Sequence, residues 1–85
     1  MSDLNNQIGN NIKKYRKKAN LKQYELAKAI GINNITMSKI EKGSEVIKVA
    51  TIQKIGELLG YSFGQIVFGE DAIVLTNDVI EKLRR

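Results

Sequence analysis

The side chains of this sequence that can do chemistry are mostly amines, amides and hydroxyls, and the amines crowd into its first half. Residues 1–48 hold ten Lys and Arg against four acids, whereas residues 49–85 hold four against five. The net charge of +5 on 85 residues is therefore a local excess on one half of the chain. Such a distribution is the footprint of a polyanion binder, with nucleic acid the first candidate and an anionic membrane the second. The chain has no Cys and no His. That excludes disulfides, thiolate and ordinary zinc sites, Cys nucleophiles, Ser-His-Asp triads and imidazole acid–base catalysis. It also fits a reducing, cytoplasmic setting.

The remaining carboxylates do not compose an active site. Gly43 stands between Glu41 and Glu45 and ends the helix that would align them. Glu70-Asp71 reads as a solvated turn rather than a metal site. No phosphate-binding Walker loop or dinucleotide glycine pattern is present. No enzymatic activity, cofactor, metal or small-molecule substrate is expected. A membrane location is not expected either. The longest apolar run is Ala72-Ile73-Val74-Leu75, far too short to span a bilayer. The first basic residue is Lys13, which does not suit a secretory signal.

One domain is all that this length and composition support, with 42% hydrophobic and 27% charged residues. Its elements read as short helices. Leu4, Ile8, Ile12, Tyr15 and Ala19 recur every three or four residues, one stripe of an amphipathic helix capped by Ser2 or Asp3 and stopped near Asn20. Lys13, Lys14, Lys17 and Lys18 lie on its other face, the ordinary place for a solvated charge run. A second helix is expected from about Lys22 to Ile30, with Leu26, Ala27 and Ile30 inward and Gly31 as its end. Asn33 caps a third, from Asn34 to about Lys42, with Met37 and Ile40 inward and Gly43 after it. A fourth fits Lys48 to Leu59, built on Val49, Ile52, Ile55, Leu58 and Leu59. Gly56 inside it implies close helix packing. Ser62 caps a fifth, carrying Phe63, Ile66 and Val67, up to Gly69. The class is thus all-α, a compact bundle of five short helices in residues 1–69. Residues 70–85 form a C-terminal extension. There Ala72–Leu75 suits a short strand, and Val79, Ile80 and Leu83 suit a sixth helix capped from Thr76-Asn77-Asp78.

The second and third helices, joined by a glycine-containing turn, make a helix-turn-helix. A major groove about 12 Å wide admits one helix, whose N-terminal residues then reach base edges. The preceding helix crosses the backbone, and its start suits a phosphate. Ile35 breaks the inward pattern of Ile32, Met37 and Ile40, so it is expected at the surface, where an apolar side chain suits a thymine methyl. Glu41 sits near a helix C-terminus, where the macrodipole disfavours an anion, so it wants a cationic partner.

These residues resemble the lambda-repressor-like (Cro/repressor-type, XRE-type) helix-turn-helix family. The match runs through Leu21, Gln23, Glu25-Leu26-Ala27, Gly31-Ile32, Thr36-Met37-Ser38, Ile40-Glu41 and Gly43. It continues into Thr51-Ile52-Gln53-Lys54-Ile55 and Leu58-Leu59-Gly60, covering about residues 8–67. The resemblance implies five short helices that bind operator DNA, usually as a dimer. It implies base contacts from Asn34, Ile35, Ser38 and Lys39. Asn34 suits adenine and Lys39 suits guanine. It implies backbone contacts from Gln23, Asn33, Thr36, Lys42, Ser44 and Lys48, and a structural pair of Arg16 with Glu41.

The sequence departs from the family pattern at three places. Lys22 stands where Ser or Thr caps the second helix, losing that cap and adding an unfavourable charge that a DNA phosphate would offset. Tyr24 occupies an exposed position usually held by a polar residue, where it either touches the sugar–phosphate backbone or is a plain surface aromatic. Ile47 replaces a frequent proline.

The expected function is a sequence-specific, double-stranded DNA-binding transcriptional regulator, a repressor acting as a homodimer on a palindromic operator in a prokaryotic or phage setting. It would be cytoplasmic and nucleoid-associated. The alternative is an antitoxin-type interaction module that neutralises a toxin and also controls its own promoter. A toxin partner would use the apolar tail from Ala72 to Leu83, and RNA polymerase is a further possible protein partner.

Overall fold

The computed structural model describes residues 3–69. Their elements are α1 (Asp3–Lys18), α2 (Gln23–Ile30), α3 (Asn34–Lys42), α4 (Val49–Leu59) and α5 (Phe63–Phe68), with no strand among the described residues. The expected bundle of five helices is the observed one. The strand and sixth helix expected in residues 70–85 lie outside the described residues. No described helix is long and apolar enough to cross a membrane.

The boundaries follow local chemistry. Asn33 Oδ1 accepts the Thr36 N–H at 2.7 Å and so starts α3. Ser62 and Gln65 cap α5 reciprocally, at 3.1 and 2.9 Å. Asn20 takes the left-handed conformation, φ 58°, and turns the chain out of α1. At α2 the N-cap Lys22 makes no side-chain cap bond. The lost half of that cap has a surviving counterpart, because the Glu25 carboxylate accepts the Lys22 backbone N–H at 2.8 Å.

The core gathers Ile8, Ile12 and Tyr15 of α1, Leu26, Ala27 and Ile30 of α2, and Met37 and Ile40 of α3. Ile52 and Ile55 of α4 and Ile66 and Val67 of α5 complete it. Two glycines allow close backbone approaches. A Cβ on Gly9 would stand 2.4 Å from the Ile40 carbonyl oxygen, so α1 lies against the backbone of α3. A Cβ on Gly56 would stand 2.5 Å from the Tyr61 carbonyl oxygen, so the close approach there is made by the turn that follows α4 rather than by a neighbouring helix, and the Ile66 side chain of α5 lies at an ordinary 3.6 Å.

The ends of two expected stripes are corrected. Leu4 is 47% exposed and Leu58 is 48% exposed. Ala19 is exposed and lies beyond the end of α1. The cover over α1 comes from α5, and the α1 side chains that bond to it begin at Gln7. Gln7 Nε2 donates to the Val67 carbonyl at 2.8 Å, Asn11 Nδ2 to that of Ile66 at 3.0 Å, and the Tyr15 hydroxyl to that of Gln65 at 3.1 Å. Asn11 and Gln7 thereby supply donors to the Ile66 and Val67 carbonyls, which the end of a short helix leaves without backbone partners, whereas the Gln65 carbonyl takes the Tyr15 hydroxyl in addition to the Gly69 N–H at 2.8 Å. The Tyr15 ring also stacks on Tyr61, with centroids 3.9 Å apart.

Candidate nucleic-acid interface

Helix α3 buries Met37, Ile40 and Glu41 and turns its other side outward. Asn34, Ile35, Lys39 and Lys42 are exposed, and Thr36 and Ser38 are half-buried. Ile35 is 69% exposed, a large apolar side chain held at the surface in the first turn of the helix. Asn34, Ile35, Ser38 and Lys39 thus share a solvent-facing side of one rigid element, as base readers must.

Behind that face lies a buried charge centre. Arg16 of α1 meets Glu41 of α3 in a two-bond fork, Nε to Oε2 at 2.7 Å and Nη2 to Oε1 at 3.0 Å. Arg16 Nη1 also donates to the Leu21 carbonyl at 2.7 Å. Gln23 of α2 donates from Nε2 to Glu41 Oε1 at 3.1 Å. One carboxylate therefore ties together α1, α2 and α3. No buried side-chain nitrogen or oxygen among the described residues is left without a hydrogen-bond partner. The role of Glu41 in holding Gln23 requires the folded arrangement and has no signature in the sequence.

Of the expected backbone-contact residues, Lys22, Gln23 and Lys42 lie beside this centre. Lys22 and Lys48 are the N-caps of α2 and α4, and neither makes a side-chain cap bond. An ammonium has no lone pair to offer the N–H groups of a first turn, so neither lysine caps its own helix. Tyr24 is 58% exposed on the first turn of α2. Asn33 and Ser44 are partly engaged by α3 itself. Asn33 Oδ1 is committed to its cap, leaving the Nδ2 donor. The Ser44 hydroxyl bonds the Lys39 carbonyl at 3.2 Å. Thr36 lines a separate recess of mixed polarity with Ile32, Ile47, Glu45, Lys48 and Thr51.

Sequence inspection also missed a residue. Lys13, grouped with the solvated lysines of α1, lines a cleft with Arg16, Lys22, Gln23, Ser38, Glu41 and Lys42. Among the described residues no group of three Asp, Glu, His or Cys side chains could hold a metal.

A short helix crossing behind a second helix whose outer side is polar and cationic defines a helix-turn-helix module. The profile of the family described as Helix-turn-helix matches residues 12–66, and the chain belongs to that family. It is 36% identical over 67 residues to Antitoxin PezA of Streptococcus pneumoniae, a match that covers 79% of this chain and 42% of that protein. The chain therefore spans less than half of that relative's length. Among solved structures it is similar to a hypothetical transcription factor, NHTF, from Neisseria. There the TM-score is 0.72 at 25% identity, covering 95% of this chain and 85% of that one. A transcriptional regulator of the same helix-turn-helix family from Vibrio cholerae gives a TM-score of 0.70 at 30% identity, covering 81% of this chain and 38% of that one.

Proposed function

We propose that this protein is a transcriptional regulator that reads double-stranded DNA with α3, and that it acts as a repressor. The observation that carries this reading is the outward side of α3. It joins an amide, an apolar group, a hydroxyl and an ammonium at Asn34, Ile35, Ser38 and Lys39 on a helix fastened from behind by the Arg16–Glu41 pair. Those groups suit the donors, acceptors and methyls of base edges. Lys22, Gln23, Lys42 and Lys48 would hold phosphates on either side, with Tyr24 and Asn33 as further backbone contacts.

The protein would act as a homodimer on two half-sites whose centres are about 34 Å apart. Phe63 and Phe68 on α5 are 42% and 66% exposed, and they offer apolar surface for the pairing. In this scheme residues 1–69 are the DNA-binding domain and residues 70–85 the part that completes the dimer or meets a partner. The protein would work in the cytoplasm, on the nucleoid, without catalysis.

Selection of the purified chain against random duplex DNA, followed by sequencing, tests the reading. Enrichment of an inverted repeat with half-site centres about 10 bp apart supports it. Weak salt-sensitive binding without enrichment would remove α3 as the specific reader.

A second reading is favoured by the likeness to an antitoxin. In that reading residues 70–85 bind a toxin, and the helix-turn-helix controls the promoter of the pair. Co-purification of a toxin encoded beside this gene, lost on deletion of residues 70–85, would establish it.

A further inference from the structure

We propose that the cleft between α1, α2 and α3 is a seat for one backbone phosphate, and that Lys13 of α1 is the side chain that closes it. The inference rests on the DNA-binding reading and extends the footprint to α1, outside the helix-turn-helix itself.

The cleft has a volume of about 380 Å³ and is open to solvent. All but one of its lining side chains carry a donor. Lys13, Lys22 and Lys42 bring ammonium groups, Ser38 a hydroxyl and Gln23 an amide. The one carboxylate present, Glu41, is consumed from within by Arg16 Nε and Nη2 and by Gln23 Nε2. Among the described residues the ammoniums of Lys13, Lys22 and Lys42 have no acid within ion-pair distance. Gln23 Nε2 has two N–H bonds and spends one on Glu41, so the second is left for the cleft. A group that fits must be anionic, rich in acceptors and without donors, and a phosphodiester meets all three conditions.

The placement of Lys13 is particular. Of Lys13, Lys14, Lys17 and Lys18, only Lys13 lines the cleft. It stands three residues before Arg16, on the neighbouring part of the same helix face. Because Arg16 is locked to Glu41, the position of Lys13 relative to α3 is set by the buried pair rather than by chance contact.

The test compares the full chain with Lys13→Gln, Lys13→Arg and Lys54→Gln. Lys54 lines a different groove, with Ala29, Ile30, Glu57 and Leu58, so its replacement removes the same charge elsewhere. Binding to a duplex of arbitrary sequence is measured as a function of salt. Each lost phosphate contact reduces the log–log slope by about 0.9, or about eightfold in binding at ~0.1 M salt, so a dimer that loses one contact per protomer loses about 1.8 in slope and about sixtyfold in binding. That loss is expected for Lys13→Gln, with Lys13→Arg near the parent and Lys54→Gln unchanged.

In parallel, inorganic phosphate is titrated while the Gln23 side-chain amide is followed by NMR. A shift in the parent that disappears in Lys13→Gln is expected. DNA binding with the same slope for the parent and Lys13→Gln overturns the seat and leaves DNA binding standing, as does an equal loss in Lys54→Gln. A parent that ignores DNA but shows the Lys13-dependent phosphate shift keeps the seat and overturns the DNA reading. No response of Gln23 to either probe overturns the seat.

Discussion

Gln23 donates its side-chain amide at 3.1 Å to Glu41, whose carboxylate also holds Arg16. The first residue of α2 is thereby oriented by a buried ion pair that fastens α1 to α3. The two bonds share an atom, since Glu41 Oε1 accepts from both Arg16 and Gln23. A buried pair of this kind is not a large net source of stability, because both charges lose their hydration. Its value lies in uniqueness of arrangement, since one acid fixes the mutual positions of three helices.

Breaking the pair from one side should be costly. Glu41→Gln leaves the Arg16 guanidinium buried and without an anion, and turns an amide donor toward its N–H groups. A loss of about 3 kcal/mol is expected. For a domain of this size each kcal/mol moves the melting temperature by about 4–8 °C. Thermal unfolding followed by circular dichroism should therefore show a drop of at least about 12 °C. An unchanged melting temperature would mean that the pair does not hold the helices together.

Lys22 should trade stability for binding. Replacing it with Ser restores a side-chain acceptor at the α2 N-cap, a gain of about 1 kcal/mol, and removes an adverse charge from the positive end of the helix. Lys22→Ser should therefore melt several degrees higher while binding DNA more weakly and with a shallower salt dependence. A variant that melts higher and binds as tightly as the parent would show that Lys22 touches no phosphate.

Gly9 permits the contact of α1 with α3. A Cβ there would stand 2.4 Å from the Ile40 carbonyl oxygen and 2.9 Å from that of Glu41, and backbone atoms cannot rotate away. Gly9→Ala should destabilise the fold by about 1–3 kcal/mol, although alanine is the better helix former. Urea unfolding decides the sign. A stabilised variant would mean that α1 sits further from α3 than described.

Asn11 should matter for packing rather than for DNA. Asn11→Ala removes the donor to the Ile66 carbonyl, which the end of α5 does not otherwise satisfy with a side chain. A loss of about 1–2 kcal/mol is expected, with the DNA sequence preference unchanged. Equilibrium unfolding together with a binding profile separates the two effects.

The helices themselves were legible because each carries its own punctuation. The Asn33 and Ser62 caps, Asn20, and the glycines after α2, α3 and α4 act within a few residues and need no tertiary knowledge. The outward position of Ile35 was legible for a related reason, since one apolar residue out of phase on a short helix has nowhere else to go. The clasp of Gln7, Asn11 and Tyr15 on α5 was not legible. Its partners are carbonyls more than 50 residues or close to 50 residues away in sequence, which any polar side chain could serve. Tyr15 belonged to the apolar stripe by spacing, and only the folded chain gives its hydroxyl a purpose. Lys13 was hidden for the opposite reason. A run of lysines on one helix looks uniform until neighbouring helices divide its members between a cleft and open solvent.

Asn34 should govern specificity without touching stability. It is exposed at the first position of α3, and its side chain makes no hydrogen bond within the described chain that would be lost. If its amide reads an adenine through paired bonds, Asn34→Ala should lower discrimination at that base by about 1–3 kcal/mol. Binding to arbitrary duplex should barely change, because phosphate contacts carry that term. Unfolding should be unaltered within about 0.5 kcal/mol. Repeating the selection with Asn34→Ala would then return the parental inverted repeat with one degenerate position in each half-site. An identical motif from both proteins would remove Asn34 from the base readers and leave Ile35, Ser38 and Lys39 to account for sequence preference.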